Sequence, residues 1–138
     1  MKRLVILNLI FSVLMVGCSP EKQSKITRID VQVDLSQGSK NDEVRMIVDQ
    51  ESIRAVEQAL HDIKWEANTN ASMARKEDLL ATFFIMEDKN MPERLYEYRI
   101  WFDGGTATLI SNHPNEGYGR LFNEEDLQVL QKEFMNER

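Results

Sequence analysis

Few side chains in this sequence are of the types that act in catalysis or bind metals, and the histidines are the main candidates. The chain has two of them, His61 and His113. His113 follows Ser111 and Asp103, so a nucleophile, a base and an acid could be assembled on paper from these three residues. However, the sequence has no Gly-x-Ser-x-Gly motif, which would mark a nucleophile elbow. A metal site needs three or four converging ligands, and His113 and Glu116 could supply only two. We therefore predict no catalytic residue, no metal and no cofactor.

The chain has a single cysteine, Cys18, which excludes an internal disulfide. It follows an N-terminal segment that is typical of an export signal, with a basic start and an apolar run over residues 4–16. As a helix this run would be about 20 Å long, which is too short for a hydrocarbon core of about 30 Å. One interpretation of this segment is an ordinary secretory signal, or a short membrane helix, with an incidental cysteine.

The other interpretation is a lipoprotein signal, because the residues Met15-Val16-Gly17-Cys18 resemble the lipobox of bacterial lipoproteins. The resemblance implies that residues 1–17 are a signal peptide and that Cys18 then carries a diacylglyceryl group. Two acyl chains give the stable anchoring that one chain cannot. We therefore expect a lipid anchor at the extracytoplasmic face of the cell membrane, followed by a polar tether over residues 18–25.

Charge limits the other partners of the chain. Its net charge is −6, and removal of Lys2 and Arg3 with the signal would leave 15 basic and 23 acidic residues, or −8. Such a balance disfavours nucleic acid and offers no polybasic attraction to anionic lipid. The predicted link to the membrane is then the lipid on Cys18 alone.

Residues 26–138 predict one α+β domain with the order β-β-α-β-β-β-(β)-α. Strands are indicated by alternating or continuous apolar runs, and helices by apolar residues spaced three or four apart. The predicted strands are 26–35, 43–48, 79–86, the two arms of 94–111, and 118–122. The predicted helices are 50–64, capped by Asp49, and a last one capped by Asn123, with Phe122 and Leu127 at the positions of a hydrophobic staple. We expect an antiparallel sheet of five to six strands with both helices packed on it. The residues expected to face the sheet are Ile53, Val56, Leu60, Leu127, Leu130 and Phe134.

The hairpin over residues 94–111 turns at Asp103-Gly104-Gly105, which predicts a two-residue type I′ turn. In that register Trp101 lies on the face opposite the main apolar one, beside Arg99 and near Ile110. Trp and Arg often dominate binding energy, so these three residues are a candidate partner-binding face. The alternative is that the polar, aperiodic segment 67–78 folds over this face and buries Trp101.

The element order, the aromatic hairpin and the final Tyr118-x-x-Leu121 before a helix are similar to the small YhfM-like lipoproteins of Bacillus-type bacteria. The resemblance covers about residues 26–135 and implies localisation and architecture, with no activity to carry over. We expect a binding or accessory module for an envelope protein or peptide. One alternative is an inhibitor of a secreted or envelope hydrolase, which a protruding aromatic or basic loop would favour. The other is an enzyme, which needs a pocket with convergent polar groups.

Overall fold

The computed structural model describes residues 25–33 and 44–135, which form one six-stranded sheet and two helices. The strands are β1 (Lys25–Val33), β2 (Val44–Ile47), β3 (Leu79–Met86), β4 (Arg94–Asp103), β5 (Thr106–Ser111) and β6 (Tyr118–Leu121), and the helices are α1 (Gln50–His61) and α2 (Glu124–Met135). The predicted α+β class and element order are thereby confirmed. The predicted signal peptide and Cys18 lie outside the described residues.

The sheet is antiparallel throughout, with the strand order β2-β1-β3-β4-β5-β6. β3 lies inside the sheet, between β1 and β4. The apolar residues on both faces of this strand predicted that position. Its residues Leu79, Ala81 and Phe83 are buried on one face, whereas Leu80 and Phe84 on the other face are half-buried. The sheet therefore has one well-covered face and one partly covered face.

The β4–β5 hairpin has the register that the sequence predicted. Ile100 pairs with Leu109 and Asp103 with Thr106, which leaves Gly104 and Gly105 as a two-residue loop. The predicted turn type is wrong. Of these two glycines only Gly104 has a positive φ, at +62°, and a positive φ at the first central residue alone is the pattern of a type II′ turn.

Both helices pack on the same face of the sheet and on each other. Their buried side chains meet a sheet face that includes Ile29, Phe83, Ile100 and Leu109. The predicted stripe is buried except at one residue: Ile53, Val56, Leu127, Leu130 and Phe134 are in the core, whereas Leu60 is only partly buried against it.

Each helix begins at the predicted cap. The Asp49 carboxylate accepts a hydrogen bond from the Ser52 backbone N–H at 2.9 Å, and Asn123 Oδ1 accepts one from the Asp126 N–H at 3.1 Å. α1 ends at His61, three residues before the predicted end, because Asp62 leaves the helical conformation and caps it. Phe122, predicted to form a staple with Leu127, is instead 64% exposed beside the Arg120 guanidinium.

Candidate functional site

Trp101, the central residue of the candidate partner-binding face, is not accessible to a partner. Trp101 is completely buried, and its indole N–H donates a hydrogen bond to the Arg75 carbonyl at 2.9 Å. The segment 67–78 therefore covers this side chain, as the alternative prediction for this face has it. Arg99 is exposed but is paired with Glu77 at 2.9 Å, and Ile110 is half-buried. The prediction of an exposed Trp101 is wrong because pattern alone does not show which segment covers a sheet face.

An ion cluster holds this covering segment against the hairpin. The Arg75 guanidinium donates to both oxygens of Asp78, at 2.6 and 3.0 Å, and to Asp103 Oδ1 and the Phe102 carbonyl at 3.0 Å each. Asp78 in turn accepts a hydrogen bond from the Phe102 N–H at 2.6 Å. Hydrogen bonding to Arg75 is the main reason that the pKa of Asp78 lies below its usual value.

We expect Asp78→Asn to lower the free energy of unfolding by about 1–3 kcal/mol at pH 7, because the ion pair with Arg75 is lost and only one of the two acceptor oxygens remains. Since the folded-state pKa of Asp78 is lowered, its contribution is present above the unfolded pKa of about 4 and is lost as the pH falls through the folded value. Denaturant titrations from pH 7 to pH 3 should show the two proteins converging at acid pH.

The matched control is Asp88→Asn, because the Asp88 carboxylate accepts one hydrogen bond from the Asn90 N–H in an exposed turn and an asparagine can still accept it. This variant should change stability by less than about 0.5 kcal/mol. A stability difference at Asp78 that persists unchanged at pH 3 would contradict the role of its charge.

Ser111, His113 and Asp103 do not form a catalytic triad. Asp103 lies at the hairpin tip, bonded to Arg75, whereas Ser111 ends the same strand pair at its far end. Ser111 Oγ accepts a hydrogen bond from the His113 backbone N–H at 3.0 Å. His113 Nδ1 accepts one from the Asn115 N–H at 3.2 Å. These bonds orient the loop after β5 and do not pair a nucleophile with a base.

Residues 25–33 and 44–135 contain no group of three or more His, Cys, Asp or Glu side chains that could hold a metal ion. Neither described helix is long and apolar enough to cross a membrane.

A cleft of about 560 Å³ opens beside the C-terminal half of α1, and we call it the α1 cleft. A volume of this size lies in the range of about 300–1,000 Å³ that is usual for small-ligand sites. The lining residues come from α1, three strands and the segments that follow α1 and β5: Ile26, Glu57, Leu60, His61, Trp65, Phe83, Ile85, Tyr98, His113 and Glu116. Leu60 is only partly buried because it faces this cleft.

Three aromatic rings form one wall of the α1 cleft. Phe83 and Tyr98 have ring centroids 4.3 Å apart, and Trp65 meets Tyr98 edge to face at 6.1 Å. Such contacts stabilise aromatic clusters beyond the area that they bury. The wall is therefore preorganised by packing within the protein.

Polar groups also line the α1 cleft, and one of them, Glu116, lies beside Tyr98 of the aromatic wall. The His113 ring stacks on Tyr96 with centroids 4.4 Å apart, and the Tyr96 hydroxyl donates to Glu87 at 3.2 Å. Burial, and then the neighbouring Glu116 carboxylate, raise the pKa of Tyr98 well above its usual value, so the phenol stays protonated. The Glu116 carboxyl group lies within reach of the Tyr98 hydroxyl, and its buried Oε2 has no other hydrogen-bond partner among the described residues.

Two glycines allow Trp65 to reach this wall. A Cβ built on Gly117 would lie 2.7 Å from the Glu66 carbonyl oxygen, and one built on Gly119 would lie 2.5 Å from Ile63 Cγ2 and 2.8 Å from Trp65 Cε3. Gly117 also has a φ of +106°. The segment after α1 can therefore pair with β6, through two hydrogen bonds between the Glu66 and Tyr118 backbones.

We expect Gly119→Ala to lower the free energy of unfolding by about 1–3 kcal/mol, because the added methyl group overlaps Ile63 and the Trp65 ring. Gly105→Ala is the matched control, since a Cβ there meets no atom within 4 Å and its φ is not positive. Thermal and urea unfolding of both variants check this. Equal stability of the two variants would mean that Trp65 does not pack against β6.

A second depression, of about 530 Å³, lies along β6. Its lining includes charged residues of both signs, among them Lys64, Glu66, Arg120 and Asp126. Of these two depressions, the α1 cleft is the one that combines an aromatic wall with a buried, under-satisfied carboxylate oxygen. It is therefore the better candidate for a ligand site.

Comparison with protein-family models finds no match for this chain, and comparison with curated proteins finds none either. Among solved structures, the chain aligns with a thioesterase-like protein from Clostridium sporogenes. The two are 18% identical with a TM-score of 0.49, and the alignment covers 80% of this chain and 95% of that chain. At this identity and score the likeness supports no argument about activity.

Proposed function

We propose that this protein is a lipid-anchored binding module on the extracytoplasmic face of a bacterial membrane, with the α1 cleft as its ligand site. The observation that supports ligand binding is the cleft itself, which is lined by aromatic residues and by the Glu116 carboxyl group beside Tyr98. Apolar walls with a few convergent polar groups are the usual composition of small-ligand sites. The proposed lipid anchor depends on the lipobox-like residues that end at Cys18.

The alternatives are less well supported by the described residues. The segment 67–78 is held on its own sheet through Arg75, so it is not the protruding loop that a hydrolase inhibitor would favour. The α1 cleft does collect polar groups, as an enzyme would require. However, the hydrogen bonds of Ser111 and His113 to the loop backbone do not activate a nucleophile. A binding role uses the cleft without requiring such a pair.

Mass spectrometry of the protein extracted from its own membrane tests both the lipid anchor and the ligand site. Under denaturing conditions we expect an N-terminal Cys18 with a diacylglyceryl group and residues 1–17 absent. Residues 1–17 still attached, or Cys18 as a free thiol, would contradict the anchor.

Under non-denaturing conditions we expect an added mass from a bound ligand in the wild-type protein. Leu60→Trp should remove it, because Leu60 lines the α1 cleft and a larger side chain there fills the space. A ligand mass that Leu60→Trp leaves unchanged would place binding elsewhere on the protein.

A further inference from the structure

We infer that the α1 cleft binds small amines that carry an apolar chain, an inference that rests on the proposed ligand site. The charge of the lining residues is the first argument. Glu57 and Glu116 bring two carboxyl groups to the cleft, and the lining residues include no lysine or arginine. Charge complementarity therefore favours a cationic ligand group over an anionic one.

The end of α1 adds to this negative potential. Leu60 and His61 are the last two residues of α1, and both line the cleft. The C-terminal end of a helix carries a partial negative charge that favours nearby cations. An ammonium group in the cleft would lie close to this end of the helix.

The aromatic wall suits the same ligand group. Cations bind favourably over aromatic ring faces, and Trp65 is the half-buried ring of this wall, whereas Phe83 and Tyr98 behind it are buried in the core. Because the Tyr98 phenol stays protonated, it adds a ring and a hydroxyl group to the wall without adding a competing charge.

Glu116 provides the specific hydrogen-bond acceptor. Apart from the neighbouring Tyr98 hydroxyl, its buried Oε2 has no hydrogen-bond partner among the described residues, and an under-satisfied buried carboxylate is costly. An ammonium group has three donors and no acceptor, and its hydrogen bonds to a carboxylate are charge-assisted. An amine bound beside Glu116 would add charged donors to the single neutral donor that Tyr98 provides.

The rest of the lining sets the size and polarity of the ligand tail. Ile26, Leu60 and Ile85 provide aliphatic surface beside the aromatic wall. A space of about 560 Å³ holds a short alkyl chain and its headgroup, and it does not hold a folded partner. We therefore commit to a small amine as the occupant.

The test uses the full chain in lipid nanodiscs with ¹⁵N-labelled tryptophan. The chain has two tryptophans, so two indole N–H signals report separately on Trp65 in the cleft and on Trp101, buried under the segment 67–78. The probes are hexylammonium, hexanoate and hexanol, which share one chain length. We expect hexylammonium to shift the Trp65 signal saturably, at least about tenfold more tightly than hexanoate, without shifting Trp101.

Glu116→Gln should weaken hexylammonium binding by about tenfold and leave hexanol binding within about twofold, which also shows that the variant is folded. Glu97→Gln is the matched control, since Glu97 is exposed and is not a lining residue of the cleft. It should change neither affinity.

The other outcomes are distinguishable. Equal shifts of Trp65 with all three probes would overturn the preference for amines while leaving the ligand site in place. No shift of Trp65 with any probe would overturn the ligand site as well. Tighter binding of acetyl-Leu-Lys-Leu-amide than of hexylammonium would overturn the small amine in favour of a peptide lysine.

Discussion

Replacing Trp101 with alanine is expected to lower the free energy of unfolding by about 3–5 kcal/mol, the usual cost of removing a large buried aromatic side chain. The indole is completely buried, and its loss also leaves the Arg75 carbonyl without its donor. Urea titration of the full chain measures the change. The same variant should leave binding at the α1 cleft unchanged wherever it is still folded, because Trp101 does not line that cleft.

Trp101→Phe is the control for this prediction. It keeps most of the ring volume and loses the hydrogen bond from the indole N–H, so we expect a smaller loss of about 1–2 kcal/mol. Loss of a binding partner in Trp101→Ala at unchanged stability would instead restore the exposed binding face that the sequence suggested.

Leu130→Ala is expected to lower the free energy of unfolding by about 2–5 kcal/mol. Leu130 on α2 is completely buried, in the core cluster that both helices and the sheet share. Deleting its side chain leaves a cavity that the surrounding strands and helices fill only in part. Thermal and urea unfolding should give the same ranking of variants.

Leu60→Ala is the matched variant on the other helix. Leu60 is only partly buried and faces the α1 cleft, so its truncation should cost less than about 2 kcal/mol and should enlarge the cleft. A loss below about 0.5 kcal/mol at Leu130 would show that the α2 stripe does not face the sheet.

Local signals in the sequence predicted much of this fold. The cap at Asp49 and the hairpin register around Gly104 depend on residues a few positions apart, so one stretch of sequence contains all of the information. The apolar run of β3 predicted an inner strand for the same reason. In each case the side-chain pattern and the local hydrogen bonds favour one structure.

The covering of Trp101 could not be derived in this way. The segment 67–78 has no periodicity, and its order comes from Arg75, which bonds Asp103 in a strand 28 positions later. Nothing in a short window of sequence pairs these residues. The prediction could therefore state both alternatives for Trp101 but not decide between them.

The α1 cleft was missed for a related reason. Its walls join Ile26, Trp65, Tyr98 and Glu116, which only the completed sheet brings together. The one available signal was Gly-Tyr-Gly at residues 117–119, where glycines flank a strand residue. Such a pattern indicates a close approach of another segment, and here that segment carries Trp65.

Photo-cross-linking from the α1 cleft in the native membrane tests the central claim most directly. A benzoylphenylalanine at His61, which lines the cleft and is 83% exposed, is compared with one at Lys132, which is 76% exposed on α2 and is not a lining residue. After irradiation of the full-length protein in its own membrane, we predict that a small-molecule adduct forms at position 61 and not at position 132. Equal labelling at both positions, or no adduct at position 61, would contradict a ligand site in the α1 cleft.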